Sequence, residues 1–248
     1  MNPQTRFDDR AEDYAQYRPG YPIEAIAAIL ATVSDAVPLL AADIGAGTGI
    51  SSRLLADQGV QVWAIEPNAA MRSVAVPHPK VTFHTGNAEQ TGLPANSVDL
   101  VTCFQAFHWF DPERALPEFH RILKPTGQLA VVWNQRDRSN PVTAGYSRIV
   151  QQVSQQHPAE QRQGASAPLT TSPLFTNLRQ LTFVYRQALD LTGLIGRAQS
   201  VSYIPKDDYS QRQLIAELTE LYEQQRDDQG YVYLTYSTQV FLVAVVKV

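Results

Sequence analysis

The chain has a single cysteine, Cys103, in its 248 residues. One thiol excludes an internal disulfide and any multi-cysteine zinc site. Its histidines, His78, His84, His108, His120 and His157, are scattered without the spacing of metal ligands, so no metal is expected. No apolar run reaches the roughly 18 residues of a membrane-spanning helix, and the polar N-terminus lacks the apolar core of a signal peptide. A cytoplasmic location without membrane association is therefore the expectation. A formal net charge of −4, with no dense Lys/Arg stripe, argues against nucleic acid or an anionic membrane as partner. Internal repeats and long low-complexity tracts are also missing. Nothing in the sequence sets an oligomeric state.

What is present is a globular composition, 44% hydrophobic and 18% charged, in a chain long enough for one large α/β core. From Pro22 onward, helical and strand patterns alternate. A helix over Pro22–Thr32 opens on a proline. Strands are predicted at Leu39–Ile44, Val60–Ile65, Val81–Thr85, Val98–Phe104 and Gln128–Asn134. Helices are predicted at Ile50–Gln58 (stopped by Gly59), at Ala69–Val74, and from Asp111-Pro112-Glu113 to Leu123. Such alternation implies a doubly wound parallel sheet. After residue 137 the chain turns polar, glutamine-rich and proline-broken, with a helix near Ala144–Gln156 and then a loop. A strand at Leu178–Leu189, a helix at Gln211–Gln225 and a strand at Tyr233–Val246 would close the sheet with an antiparallel edge.

The most informative stretch is LAADIGAGTG at 40–49. A buried strand runs into a loop with glycine at every second position, Gly45, Gly47 and Gly49, and then into a helix. Such a turn brings bare backbone N–H groups and a helix N-terminus up to a ligand. The dinucleotide fingerprint G-x-G-x-x-G fails here, because Ile50 occupies its third glycine position. Asp43 would sit poorly beside a pyrophosphate but well beside a ligand carrying an ammonium and a sulfonium. It would serve equally as a structural cap on the loop.

Ligands of open α/β sheets bind outside the carboxyl ends of the strands. The second strand ends in Glu66, suited to accept from ribose hydroxyls, followed by Pro67 and Met71, which can flank an adenine. After the third come Asn87, Ala88 and Glu89, able to read the adenine edge. After the fourth come Gln105, Phe107, His108 and Trp109. With these segments in order, the chain resembles a class I S-adenosylmethionine-dependent methyltransferase of the small-molecule group. The matching pieces are DIGAGTG (43–49), AIEPNAAM (64–71), GNAEQTGLP (86–94), SVDLVTCFQAFHWF (97–110) and RILKPTGQLAVV (121–132). The opening FDDRAEDYAQYRPGYP (7–22) is similar to a subgroup that includes trans-aconitate methyltransferase-like proteins. GNAE departs from the pattern, with Asn87 where many relatives carry Asp.

The resemblance implies a doubly wound, mostly parallel seven-stranded sheet with an antiparallel edge strand and a small lid or cap. It implies S-adenosylmethionine bound by Asp43, Gly45, Ala46, Gly47, Gly49, Glu66, Pro67, Met71, Asn87, Ala88, Glu89 and Gln105. It also implies in-line methyl transfer to a small molecule, for which a carboxylate acceptor fits and needs no base. His108 is the candidate base for an acceptor that must lose a proton, or else a packed ring. An aromatic arm (residues 1–21, with Phe7, Tyr14, Tyr17, Arg18 and Tyr21) is expected to fold over the site. In it Tyr14 and Arg18 would face the cofactor and Tyr17 the substrate, beside Phe107 and Trp109. Residues 22–136 form the cofactor half, 137–205 a substrate lid and 206–248 the completion of one domain. A nicotinamide-dependent oxidoreductase and a non-catalytic S-adenosylmethionine-binding protein are the alternatives.

Overall fold

The computed structural model describes residues 10–33, 38–155 and 167–246. The first nine residues of the predicted arm, Phe7 among them, lie outside these, as do Gln156 and the following loop to residue 166.

Seven strands form one sheet, in the order β3-β2-β1-β4-β5-β7-β6. They are β1 (Leu40–Ile44), β2 (Gln61–Ile65), β3 (Val81–His84), β4 (Val98–Phe104), β5 (Leu123–Arg136), β6 (Phe175–Leu189) and β7 (Val232–Val245). The first five are parallel, and β7 runs antiparallel to both β5 and β6. Every residue of β4 is buried, which is why its sequence is nearly continuous in apolar residues rather than alternating. The order reverses between β1 and β4, so a crevice opens beside the glycine loop.

Helices α2 (Ile23–Leu30) and α3 (Ile50–Asp57) cover one face, and α5 (Pro112–Ile122) the other. Alternate residues of β4 and β5 serve the two faces. Leu100, Ala130 and Val132 pack with Ile26, Ile29 and Leu55, while Val101, Leu129 and Val131 pack with Phe119 and Ile122. The α5 start is built as its sequence suggests: the Asp111 side chain accepts from Glu113 N and Pro112 occupies the first turn. The short α4 (Ala69–Ser73) is capped by Asn68, whose side chain accepts from Met71 N.

The remaining helices are α1 (Ala11–Tyr17), α6 (Pro141–Val153), α7 (Ala167–Thr171), α8 (Leu191–Gln199) and α9 (Asp208–Gln225). Tyr146, Val150, Leu194, Ala198, Leu214 and Leu218 join Leu234 and Tyr236 in a third apolar cluster. It builds a cap from α6, α8 and α9 against β7. The predicted lid at 137–205 is therefore not one insertion. β6 lies inside that span as a sheet strand, paired with β7 along its length, and the cap is completed by α9 from further along the chain. The α8 helix and the helical form of the arm were not foreseen.

Candidate active site

The loop after β1 is set by three glycines in the left-handed region, with φ of 69° at Gly45, 58° at Gly47 and 76° at Gly49. A Cβ at Gly45 would lie 2.7 Å from Ala106 Cβ, and one at Gly47 3.3 Å from Met71 Cε. Only glycine meets both the backbone angle and the space. The loop is tied to β2: Gly45 N and Ala46 N both donate to Ile65 O.

Two buried carboxylates hold this loop from opposite sides. Asp43 has no exposed surface. It accepts from Ser51 Oγ and Ser52 Oγ at 2.6 Å and from Thr102 Oγ1 at 2.8 Å. Of its two expected roles, the structure gives it the cap: it joins β1, β4 and the start of α3, and offers no face to a ligand. Burial pushes its acid strength down, so its pKa is raised, although the three hydroxyls pull the other way. Glu66 accepts from Gly47 N at 2.9 Å through one oxygen and from Asn68 N at 2.8 Å through the other. Its pKa is also raised, by burial first, against these two backbone bonds and the nearby Arg72. Arg72 in turn donates to the carbonyls of Glu66 and Pro67. Met71, 3% exposed, closes the far side of the loop.

After β3, Asn87 Oδ1 accepts from Glu89 N and Gln90 N in a tight side-chain turn. Ala88 is buried, and Glu89 Oε1 accepts from Asp111 N. After β4, Gln105 takes a left-handed φ of 54°, and its side-chain amide donates to Asn134 O. A single 3-10 turn, Phe107–Trp109, follows. Phe107 corrects the expectation of a substrate wall. It is 2% exposed and belongs to the core beneath the sheet with Ala115 and Trp133. The half-buried His108 ring is packed between Trp109 and Trp133, with centroids at 4.6 and 5.2 Å, while Trp109 is half-exposed.

The arm is docked. Tyr14 borders the glycine loop, its ring 3.7 Å from where a Gly47 Cβ would stand. The Arg18 guanidinium lies over the Tyr14 ring at 4.6 Å and donates to Ser200 O. Tyr17 is a second correction. Its ring lies flush on Gly196 of α8, where a Cβ would come within 2.4 Å of it. It anchors the arm against the cap rather than facing the strand ends.

Sequence reading missed the residue that fastens the arm. Arg10, 7% exposed, donates to the carbonyls of Gln199, Val201 and Ile204. It also missed Arg197, buried in α8. The signal available for Arg197 was its isolation, as the one charged residue between Asp190 and Lys206.

A strand-loop-helix crevice with left-handed glycines and a carboxylate just after β2 is the site of a class I S-adenosylmethionine-dependent methyltransferase fold. A methyltransferase domain family matches residues 42–131. An uncharacterised methyltransferase of Mycobacterium tuberculosis is 42% identical over 50% of this chain and 50% of its own, so the chain spans half the length of that relative. In Schizosaccharomyces pombe, one uncharacterised methyltransferase is 32% identical over 84% of each chain. A methyltransferase-like protein there is 31% identical over 95% of this chain and 93% of its own. Among solved structures, a putative type II methyltransferase from Anaeromyxobacter dehalogenans superposes with a TM-score of 0.68 at 23% identity, covering 91% of this chain and 97% of that one. The chain belongs to this methyltransferase family. Among the described residues no helix is long and apolar enough to cross a membrane.

Proposed function

We propose that the protein transfers a methyl group from S-adenosylmethionine to a small-molecule acceptor in the cytoplasm. The observation that carries this reading is the Glu66–Gly47 bond at 2.9 Å. It fixes the glycine loop and sets a carboxylate beside the one loop position where a side chain would fill the space under Tyr14 and Met71. The chemistry of this donor set suits the cofactor. Glu66 would accept from the ribose hydroxyls. The backbone of Gly45, Ala46, Gly47 and Gly49 would line the amino-acid portion, with Pro67, Met71, Asn87, Ala88 and Glu89 around the adenine. Tyr14 and Arg18 roof the site, and Gln105 borders it.

S-adenosylmethionine supplies an already electrophilic methyl, so the chain has mainly to align a nucleophile and keep water out. The docked arm excludes water above the loop, and Trp109 borders the acceptor side. His108 takes a proton only where the acceptor has one to lose, and a carboxylate acceptor has none. A nicotinamide cofactor is disfavoured by family membership and by Ile50 in the place of the third dinucleotide glycine.

Equilibrium dialysis with labelled S-adenosylmethionine and with NADH tests the cofactor, and S-adenosylhomocysteine formation against a metabolite extract tests the reaction. Glu66→Ala should weaken S-adenosylmethionine binding by about 1.5–3 kcal/mol, the scale of hydrogen bonds to a charged group. An unchanged affinity in the folded variant would remove Glu66 from the site, and NADH binding in preference would overturn the reading.

A further inference from the structure

Among the described residues, four other than glycine take a left-handed φ: Asn96, Gln105, Gln155 and Asn177. Asparagine tolerates that region through its short side chain. Gln155 directly follows the C-cap of α6, where a left-handed residue is usual. Gln105 has neither setting. It is the first residue after β4, at the carboxyl end of the sheet. Glycine would take its φ of 54° without strain, so the glutamine there holds the backbone in a conformation that its own side chain disfavours. Strain of this kind gathers where a side chain is put to use.

The side chain is also held. Gln105 Nε2 donates to Asn134 O just past the apolar part of β5, at 2.9 Å, and Gln105 N donates to Val132 O. Asn134 is itself fixed and 2% exposed. Its side chain accepts from Thr238 Oγ1 at 2.6 Å and donates to Gly20 O, at the root of the arm, at 2.8 Å. The amide of Gln105 is thus oriented by a network that joins β4, β5, β7 and the arm. The amide oxygen is its open end. Among the described residues nothing donates to Oε1. Gln105 is half-buried, and this oxygen is not sealed from solvent.

Position separates this group from the cofactor seat. The glycine loop, Glu66, Met71 and Asn87 follow β1, β2 and β3. The bond to Asn134 draws the Gln105 amide the other way, over β5. Beside it there lie Gly20 and, through Trp133, the His108 ring. We propose that Gln105 contacts the methyl acceptor, its Oε1 accepting from the O–H or N–H of the attacking group, and so selects hydroxyl or amine compounds as substrates. This rests on the methyltransferase reading. An ionised carboxylate has no proton to give this oxygen, and the two would repel. In the transfer, a lone pair of the acceptor oxygen or nitrogen forms the bond to the methyl carbon. The carbon–sulfur bond breaks with its pair going to sulfur, and the acceptor's proton is lost to solvent.

The test gives the protein S-adenosylmethionine labelled in its methyl group together with a metabolite extract. Mass spectrometry of the labelled product should place the methyl on a hydroxyl oxygen or an amine nitrogen. Mild alkali should not release it as methanol, as it would from a methyl ester. Gln105→Met keeps the chain length and removes both polar atoms. It should slow labelled transfer about tenfold or more, the loss expected when a donor is left unmatched. Gln105→Gly removes the left-handed strain along with the side chain. It should lose transfer to the same extent while its urea midpoint stays at or above that of the wild type, and it carries the test if Gln105→Met does not fold. S-adenosylhomocysteine affinity should stay within about threefold in both variants, because the cofactor seat follows the first three strands. A methyl ester or a methyl on carbon, undiminished transfer in the variants, or S-adenosylhomocysteine affinity lost in step with transfer would each overturn the proposal. So would a lowered urea midpoint in Gln105→Gly, which would mark a purely structural tie. A wild type that labels nothing in the extract would strike the methyltransferase reading itself, and this proposal with it.

Discussion

The two sides of the crevice meet their polar requirements in opposite ways. On the β1–β4 side the buried charges are acids and they are satisfied: Asp43 by three hydroxyls and Glu66 by two backbone N–H groups. On the cap side the charges are arginines: Arg10 is met by three carbonyls, while buried Arg197 and half-buried Arg18 each keep a buried nitrogen without a hydrogen-bond partner, as Tyr146 keeps its hydroxyl. A satisfied network is a finished scaffold, whereas an unsatisfied one is stable only because the surrounding fold compensates for it. On the proposed function, the first side is a rigid seat whose contacts to the cofactor come largely from backbone. The second relies on side chains of the arm and the cap.

The sharpest way to break the contrast is Gly47→Val. Its left-handed φ and the 3.3 Å approach to Met71 leave no room for a branched side chain. Calorimetry should detect no S-adenosylmethionine binding, while far-ultraviolet circular dichroism keeps most of the helical signal. Asp43→Ala comes next and should act on stability instead. Three hydroxyls lose their shared acceptor, and urea denaturation should show a loss of roughly 3 kcal/mol.

A third test uses pH. Because burial raises the folded pKa of Glu66, the native state holds a proton in the window just above the ordinary carboxylate range that the unfolded chain has shed. Stability of the wild type should therefore fall, relative to Glu66→Gln, as pH rises through that window. The difference should be flat below it and flat again above it. The burial of Asp43 is common to both proteins, and only its charge coupling to Glu66 differs between them. Parallel slopes of the urea midpoint across the window would contradict a buried, titrating Glu66. The smallest effect belongs to Asn87→Asp. Its side-chain oxygen already accepts from two backbone N–H groups, and a carboxylate can do the same. Stability should change by less than about 0.5 kcal/mol, so any larger change in S-adenosylmethionine affinity would report the added charge.

The β1–β4 side was legible in the sequence because its determinants are local. The strand, three glycines and the helix start lie within LAADIGAGTG, and Glu66 follows the next apolar run. The cap side was not, because its contacts join residues far apart in the chain. Arg10 and Arg18 meet carbonyls more than 180 positions away, and no periodicity encodes that. Tyr17 read as a substrate residue because an aromatic arm needs a surface, and the surface was a glycine of α8. Phe107 and Trp109 are alike in sequence context, yet the 3-10 turn sends Phe107 into the core and leaves Trp109 half-exposed. The reversal at β7 was foreseen as an antiparallel finish. Its place between β5 and β6 follows from pairing on both of its edges.

The end of the sheet also bears on how the molecule behaves in company. β6 is 15 residues long and, among the described residues, pairs on one side only, so its other side presents a row of open backbone groups of the kind that templates aggregation. Three features blunt it. The register slips between Thr176 and Arg179, with Asn177 turned into the left-handed region at φ 56°, which bends the strand end. Arg179 and Arg186 are exposed along it and would repel the same strand of another copy laid alongside. A long edge strand is thus kept from continuing into a neighbouring chain by a bulge and two like charges. Exchanging Arg179 and Arg186 for apolar residues would test colloidal behaviour rather than catalysis.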